Sequence, residues 1–158
     1  MLDVNLYEEV EADKSATFQA AGVVILSSLA AGVGVISLGT SNFLIAPLLS
    51  LGSWFVWAYL VYFIGVKFFP ESTTEADHGQ LLRTIGFSSA PGLIRVFGVI
   101  PNLTSLVFTI SSIWMLVAMV IAVRQALDYK STWRAVGVVV TAFLIQSIIL
   151  IAIMKLFY

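Results

Sequence analysis

Arg95 is the residue whose position in this sequence most clearly suggests a chemical role. It lies in the apolar stretch "LLRTIGFSSAPGLIRVFGVIP", residues 81–101. A cation inside such a segment is costly, and it usually faces a bundle interior or a binding partner. The apolar runs of the chain contain no acid to pair with it, so its candidate partners are polar uncharged side chains, backbone carbonyls, or an acid on another subunit or a lipid. Its position is compatible with a structural or snorkelling role, with contact to a partner protein or anionic headgroup, or with a transport pathway.

The second group of chemically capable residues lies in the segment 71–80, which contains the single histidine, His78, near Glu71, Glu75 and Asp77. One histidine with scattered carboxylates could bind a divalent ion weakly or take part in acid–base chemistry. Nothing in the spacing fixes their geometry, so we predict a solvated loop. The sequence shows no phosphate-binding loop, no nucleophile with a base and no pair of haem ligands. We therefore expect no enzyme, no catalytic or metal-binding residues, and no cofactor apart from a bound lipid.

The composition indicates an integral membrane protein. Apolar residues make up 59% of the chain and charged residues 11%, against roughly 45–50% and 25% in soluble domains. Residues 15–66 carry no charged side chain. As a helix that run would be about 78 Å long, which exceeds two hydrocarbon thicknesses of about 30 Å. We predict an all-α, polytopic helical bundle.

The distribution of charge predicts five spans with a cytoplasmic N-terminus. An acidic N-terminal segment, 1–16, precedes a membrane domain, 17–158, with spans at about 17–38, 43–66, 81–100, 103–123 and 135–157. With five spans, the outer connections "GTSN" and "PNLTS" carry no charge, which is the asymmetry of the positive-inside rule. The cytoplasmic segments then hold six basic residues, namely Lys14, Lys67, Arg83, Arg124, Lys130 and Arg134. We assign Arg124, Lys130 and Arg134 to topology and to attraction of anionic headgroups.

Two local features predict how the spans are shaped and packed. Pro91 removes a backbone donor, so the third span is expected to bend there. In the first span, Ser28 with Gly32 and Ala30 with Gly34 form small-xxx-small pairs, which allow close approach of helices. The sequence leaves open whether their neighbour is another span of this chain or another protein. Aromatic residues of the second span favour packing over a pigment or quinone site.

The order of these features resembles the Ypt-interacting-protein (YIP) membrane domain family, in particular its short prokaryotic members. The resemblance rests on "LLRTIGFSSAPGLI" and "IWMLVAMVIAVRQALDYKSTWRAVGVVV" and covers about Phe18–Ala152. The matching residues are Arg83, Gly86, Pro91, Ile113, Trp114, Arg124, Ala126, Arg134, Ala135 and Val136. The resemblance implies a five-span bundle with a cytoplasmic N-terminus. Eukaryotic relatives bind small GTPases through a longer N-terminal region, for which we see no equivalent here, so we expect no GTPase partner.

We therefore expect a non-catalytic scaffold or accessory subunit that contacts other integral membrane proteins and membrane lipids. The small-residue face, Arg95 and the aromatic-rich spans favour this function, and we expect no nucleic-acid partner. One alternative is a small carrier or channel for a lipid or anion, with Arg95 near the midplane, as in transporters with discontinuous helices. Another is a trafficking or membrane-organising factor of the YIP type. The expected location is a prokaryotic cytoplasmic membrane, or an endomembrane in a eukaryote.

Overall fold

The computed structural model describes residues 4–36, 45–72 and 74–157, and these residues form helices and turns without a strand. Helix accounts for 84% of the structure, which confirms the all-α prediction. The helices, in chain order, are α1 (Val4–Ala12), α2 (Ala16–Gly34), α3 (Ile45–Phe68), α4 (His78–Ser88), a 3₁₀ helix (Ala90–Val99), α5 (Thr104–Ala126) and α6 (Thr132–Phe157). The predicted connection 39–42 lies outside the described residues.

Four helices are long and apolar enough to cross a membrane. They are α2 over its whole length, α3 from Pro47, α5 over its whole length, and α6 to Ile149. Each coincides with one of the uninterrupted apolar runs, because a run of about 20 apolar residues in helix matches the hydrocarbon thickness. The remaining predicted span, the third, at 81–100, is not a single helix of that kind.

The third predicted span is divided at Ser89. The sequence predicted one α-helix bent at Pro91, but the α-helix ends at Ser88, and a 3₁₀ helix begins at Ala90 with Pro91 as its second residue. Two serine hydroxyls donate to backbone carbonyls beside the division, Ser88 Oγ to that of Ile85 at 2.7 Å and Ser89 Oγ to that of Gly86 at 2.6 Å. Proline cannot donate to the turn before it, so the chain changes helix type at this point.

The divided segment runs parallel to α2. Three contacts show this course: Gly86 lies against Ala20, Gly92 against Ser27, and Gly98 against Gly34. From one contact to the next, the chain advances six residues along the segment and seven residues along α2. Fourteen residues of α-helix correspond to about 21 Å. α4 and the 3₁₀ helix together therefore follow α2 through the bundle, and α5 returns beside them.

The packed core lies at one end of the bundle, which we call the α1 end. At this end α1 packs on α4 and α5, α3 and α5 terminate, and α4 and α6 begin. The opposite end is called the far end. The core is built from small and branched residues with almost no exposed surface, namely Ala58, Val61, Ile64, Leu81, Leu82, Ile85, Val123, Ala126, Leu127, Tyr129, Ala135, Val138, Val139 and Ala142.

Charge is strongly segregated between the two ends. Every acidic residue in the described part of the chain belongs to α1, to the turn after it, or to the connections 69–77 and 127–131. Most of the basic residues lie at that end as well. The exceptions are Arg95 in the 3₁₀ helix and Lys155 in the last turn of α6. The fold thus collects at the α1 end the charges that the sequence places in separate connections.

Candidate functional site

Arg95 is anchored on α5 by two consecutive serines. Its Nε donates to Ser111 Oγ at 2.9 Å and its Nη2 to Ser112 Oγ at 3.1 Å. The guanidinium also lies 5.4 Å from the ring centroid of Phe108, within the range of a cation–π interaction. No carboxylate belongs to α2, α3, α5, α6 or the 3₁₀ helix. Arg95 is therefore a half-buried cation held by neutral groups.

A groove between α5 and α6 opens beside this guanidinium, with a volume of about 480 Å³. We call it the Arg95 groove. Its polar lining is confined to Arg95, Ser112 and the indole of Trp57, and the remainder is apolar. The apolar lining comprises Met115, Leu116, Met119, Val139, Val140, Phe143 and Leu144. The groove combines one cationic end with an extended apolar wall.

A second pocket of about 280 Å³, open to the surface, shares Trp57 and Met119 with the groove. Its wall is made by α2, α3, α4, α5, α6 and Ser89, and its polar members include Ser50, Ser53 and Gln146. The indole Nε1 of Trp57 is buried and has no hydrogen-bond acceptor among the described residues. The far half of the bundle is thus loosely filled and partly polar, while the α1 end is tightly packed.

The small-residue face of α2 makes contacts inside this chain. Ser50 Oγ of α3 donates to Ser28 Oγ at 3.0 Å. Gly34 lies directly against the backbone of Arg95 and the ring of Phe108, and Ala30 is buried. Gly32 is half-buried. Ser28 and Gly34, two of the residues proposed for helix packing, therefore have neighbours within the bundle.

The basic residues of the α5–α6 connection bind other groups at the α1 end. Arg124 donates to the carbonyl of Tyr129 at 3.2 Å and to Thr132 Oγ1 at 3.1 Å. Arg134 forms an ion pair with Glu71 at 3.1 Å, and the backbone N–H of Lys130 donates to the same carboxylate at 3.1 Å. Arg124 and Arg134 thus order their own connection, in addition to any effect they have on headgroups or topology.

The docking of α1 was not predicted from the sequence. Tyr7 and Val10, on one face of this helix, are buried against the bundle. The buried guanidinium of Arg83 on α4 donates through Nε to the carbonyl of Val10 at 3.1 Å and through Nη2 to that of Glu11. The last carbonyls of a helix lack intrahelical partners, and a cation there also interacts favourably with the helix dipole. The apolar spacing of Tyr7 and Val10 was the available signal, but Arg83 is distant in sequence and could not be paired with them.

The prediction that His78 lies in a solvated loop was wrong. His78 is the first residue of α4, after a capping box in which Asp77 Oδ1 accepts from the backbone N–H of Gln80 at 3.0 Å. Its ring packs against α3, with centroid distances of 5.0 Å to Phe55 and 5.6 Å to Tyr59. No cluster of three potential metal ligands occurs among the residues that the structure describes.

Comparison with known proteins identifies the family. The family model of the Yip1 domain matches residues 8–154. This chain belongs to the Yip1 domain family. A search of curated proteins and a search of solved structures each gave no significant match.

The Yip1 match covers both the contacts that dock α1 and the surroundings of Arg95. It begins within α1 and ends within α6, so it includes Arg83, Arg95 and the serines of α5. Together with the four apolar helices, it shows an integral membrane protein with a Yip1 domain. The family is one of membrane trafficking and is not known as enzymatic. The resemblance drawn from the sequence is confirmed.

Glu11 makes the docking of α1 in this Yip1 protein sensitive to pH. The pKa of Glu11 is raised from 4.5 to about 7, chiefly by burial and also by the nearby charge of Asp128, while Arg83 opposes the shift. A carboxyl whose pKa is higher in the docked state binds protons more tightly there. Docking is therefore most favourable below about pH 4.5 and weakens as the pH rises to about 7. Above that, no further loss from this group is expected.

We expect α1 to be more mobile at pH 8 than at pH 5.5, and the Glu11→Gln variant to lose most of this difference. The chain has no cysteine, so a spin label at an exposed Glu9→Cys position reports on α1 alone. Its mobility is measured by electron paramagnetic resonance at both pH values. A label whose mobility changes equally with pH in the Glu11→Gln variant and in the parent protein would contradict this role of Glu11.

Proposed function

We propose that this Yip1 protein is a non-catalytic, five-span scaffold or accessory subunit, with its N-terminus in the cytoplasm. The observation that carries the proposal is the docked α1 helix, which holds an acidic surface in a fixed position at the α1 end. The partners are other integral membrane proteins and membrane lipids. The proposed location is the cytoplasmic membrane of a prokaryote, or an endomembrane in a eukaryotic host.

The course of α4 and the 3₁₀ helix supports a crossing by segment 81–100, which brings the number of spans to five. At 1.5 Å per residue for eleven residues and about 2.0 Å for ten, the two helices extend about 36 Å in total. That length suffices for a hydrocarbon core of about 30 Å. The segment also packs against α2 and α5. Irregular backbone is tolerated at membrane depth where protein surrounds it.

Cysteine accessibility tests this topology. We expect a membrane-impermeant maleimide to label Leu103→Cys from outside intact cells, and Lys130→Cys only after the membrane is permeabilised. Both side chains are exposed in connections, at the far end and the α1 end respectively. The reverse pattern, with Lys130→Cys labelled from outside and Leu103→Cys only after permeabilisation, would refute the five-span topology with a cytoplasmic N-terminus. A segment 81–100 that turned back would exchange the sides of these two connections, because only α5 lies between them.

The docked α1 supports a contact function, because its two faces are used differently. Its apolar face is covered by α4 and α5 of the same chain, through Tyr7 and Val10. Glu8 and Glu9 remain exposed, with Gln125 Nε2 donating to Glu8 Oε1 at 3.3 Å. A fixed acidic surface complements a basic surface on a partner, and such complementarity governs specificity and association rate. The packed core at the α1 end also favours a contact function over a path through the bundle.

Native mass spectrometry tests the scaffold function, using protein extracted from its own membranes in mild detergent. We expect a partner protein to co-purify with the parent protein in a fixed stoichiometry. The Glu9→Lys variant, which reverses a charge on α1, is expected to retain at least fivefold less of that partner. The matched control is Glu75→Lys, because this acid is equally exposed at the same end but lies outside α1. A protein that purifies alone, or that loses its partner equally in both variants, would contradict the proposal.

A further inference from the structure

We propose that the Arg95 groove binds one anionic glycerophospholipid. The headgroup phosphate lies on Arg95 and Ser112, and an acyl chain lies along the apolar wall between α5 and α6. This inference goes beyond the scaffold function and does not depend on it, because it concerns the far half of the bundle and not the acidic surface of α1.

The charge at the groove selects an anion. A guanidinium has five N–H donors, and the contacts to Ser111 and Ser112 use one from Nε and one from Nη2. Three donors therefore remain available at a cation that no carboxylate of the surrounding helices neutralises. The planar donor arrangement of arginine matches the oxygens of a phosphate group. Ser111 and Phe108 hold the guanidinium in place, which reduces the ordering needed when an anion binds.

The shape of the groove selects a lipid over a partner helix. Ser112, Met115 and Met119 occupy successive turns of α5, so the wall extends about 10 Å from the serine. A helix with its side chains has a diameter of about 10 Å or more. An acyl chain is narrower than a helix and adapts to a wall that contains two methionines, which are themselves flexible.

The groove is polar at one end and apolar along the rest of its length, as a phospholipid is. Arg95 and Ser112 lie at the end nearest the beginning of α5, and the apolar lining extends from there toward the packed core. A phospholipid with its headgroup toward the far end would therefore place its tail toward the bundle centre.

Native mass spectrometry with defined lipids tests the site. The purified protein, stripped of lipid by detergent exchange, is offered an equimolar mixture of phosphatidylglycerol and phosphatidylcholine. We expect one retained phosphatidylglycerol per chain, with at least tenfold preference over phosphatidylcholine. The Arg95→Gln variant is expected to lose that preference, whereas Lys67→Gln, which removes an exposed cation at the α1 end, is expected to keep it.

A second pair of variants keeps the test valid if Arg95→Gln fails to fold. Leu144→Trp fills the groove and leaves Arg95 in place, while Ile148→Trp adds the same bulk one turn further along α6, at an exposed position outside the groove lining. We expect the first to reduce retained phosphatidylglycerol at least tenfold and the second to leave it unchanged. Equal retention of both lipids by the parent protein, or equal loss in both tryptophan variants, would overturn the proposal.

Discussion

Replacing Arg83 with methionine is expected to release α1 from the bundle. Arg83 is only 5% exposed and donates to two carbonyls at the end of α1. Methionine retains an apolar chain of similar length and leaves both carbonyls without this donor. Hydrogen bonds to charged groups contribute about 1.5–3 kcal/mol each, so we expect a loss of about 3 kcal/mol. That corresponds to roughly a 150-fold fall in the ratio of docked to undocked α1.

Amide hydrogen exchange measures this release. A free helix of nine residues is too short to be stable in water, so undocking melts α1 and accelerates exchange of its amides by up to the same factor. The control is Arg134→Met, which removes a half-exposed arginine from the ion pair with Glu71. Arg134 lies on α6, whereas α1 packs on α4 and α5, so exchange within α1 should stay unchanged. Unaltered exchange in the Arg83 variant would show that burial of Tyr7 and Val10 alone holds α1.

Replacing Gly34 with alanine is expected to destabilise the protein by about 3 kcal/mol, near the upper end of the usual cost of overpacking. A Cβ at Gly34 would collide with the backbone carbonyl of Arg95 and lie 2.9 Å from a ring carbon of Phe108. A side chain could rotate aside, but the carbonyl moves only with the 3₁₀ helix. The collision must therefore separate α2 from that helix, and we also expect it to displace the Arg95 groove.

Gly22→Ala is the matched control, because this glycine lies on the same helix and a Cβ there meets nothing within 4 Å. Alanine is the better helix former by about 1 kcal/mol, so this variant should be neutral or slightly stabilised. Thermal unfolding in detergent, followed by circular dichroism, is expected to show a Tm roughly 10 °C lower for Gly34→Ala. Similar Tm values for the two variants would mean that α2 and the 3₁₀ helix are less closely coupled than the structure indicates.

The two variants separate the proposed scaffold function from the proposed lipid site. Loss of Arg83 removes the fixed acidic surface of α1, and partner binding should fall while phosphatidylglycerol retention persists. The Gly34 substitution acts at the far half of the bundle, so phosphatidylglycerol retention should fall while amide hydrogen exchange within α1 changes little. This separation follows from the distance between the two sites along α2, since α1 precedes its first residue and Gly34 is its last.

The sequence predicted α2, α3, α5 and α6 correctly as apolar helices, because each lies in an apolar run long enough to span the hydrocarbon core. It also predicted a bend at Pro91 from the missing backbone donor, but not the end of α4 at Ser88 or the 3₁₀ helix that follows. That helix lies between α2 and α5, where Gly34, Gly92 and Gly98 permit close approach. Five crossings and the orientation of the N-terminus remain predictions.

The sequence by itself determined the membrane class, the family, the apolar helices and the separation of charge, because these follow from composition and from order along the chain. Only the tertiary structure decided which charges meet, and where. It brought Arg83 to the end of α1, His78 to the aromatic face of α3 and Arg95 to the serines of α5. The physical reason is that these contacts join residues far apart in sequence, and their partners are carbonyls, rings and hydroxyls that occur throughout the chain. Packing of the helices selects among them, and residue type alone does not.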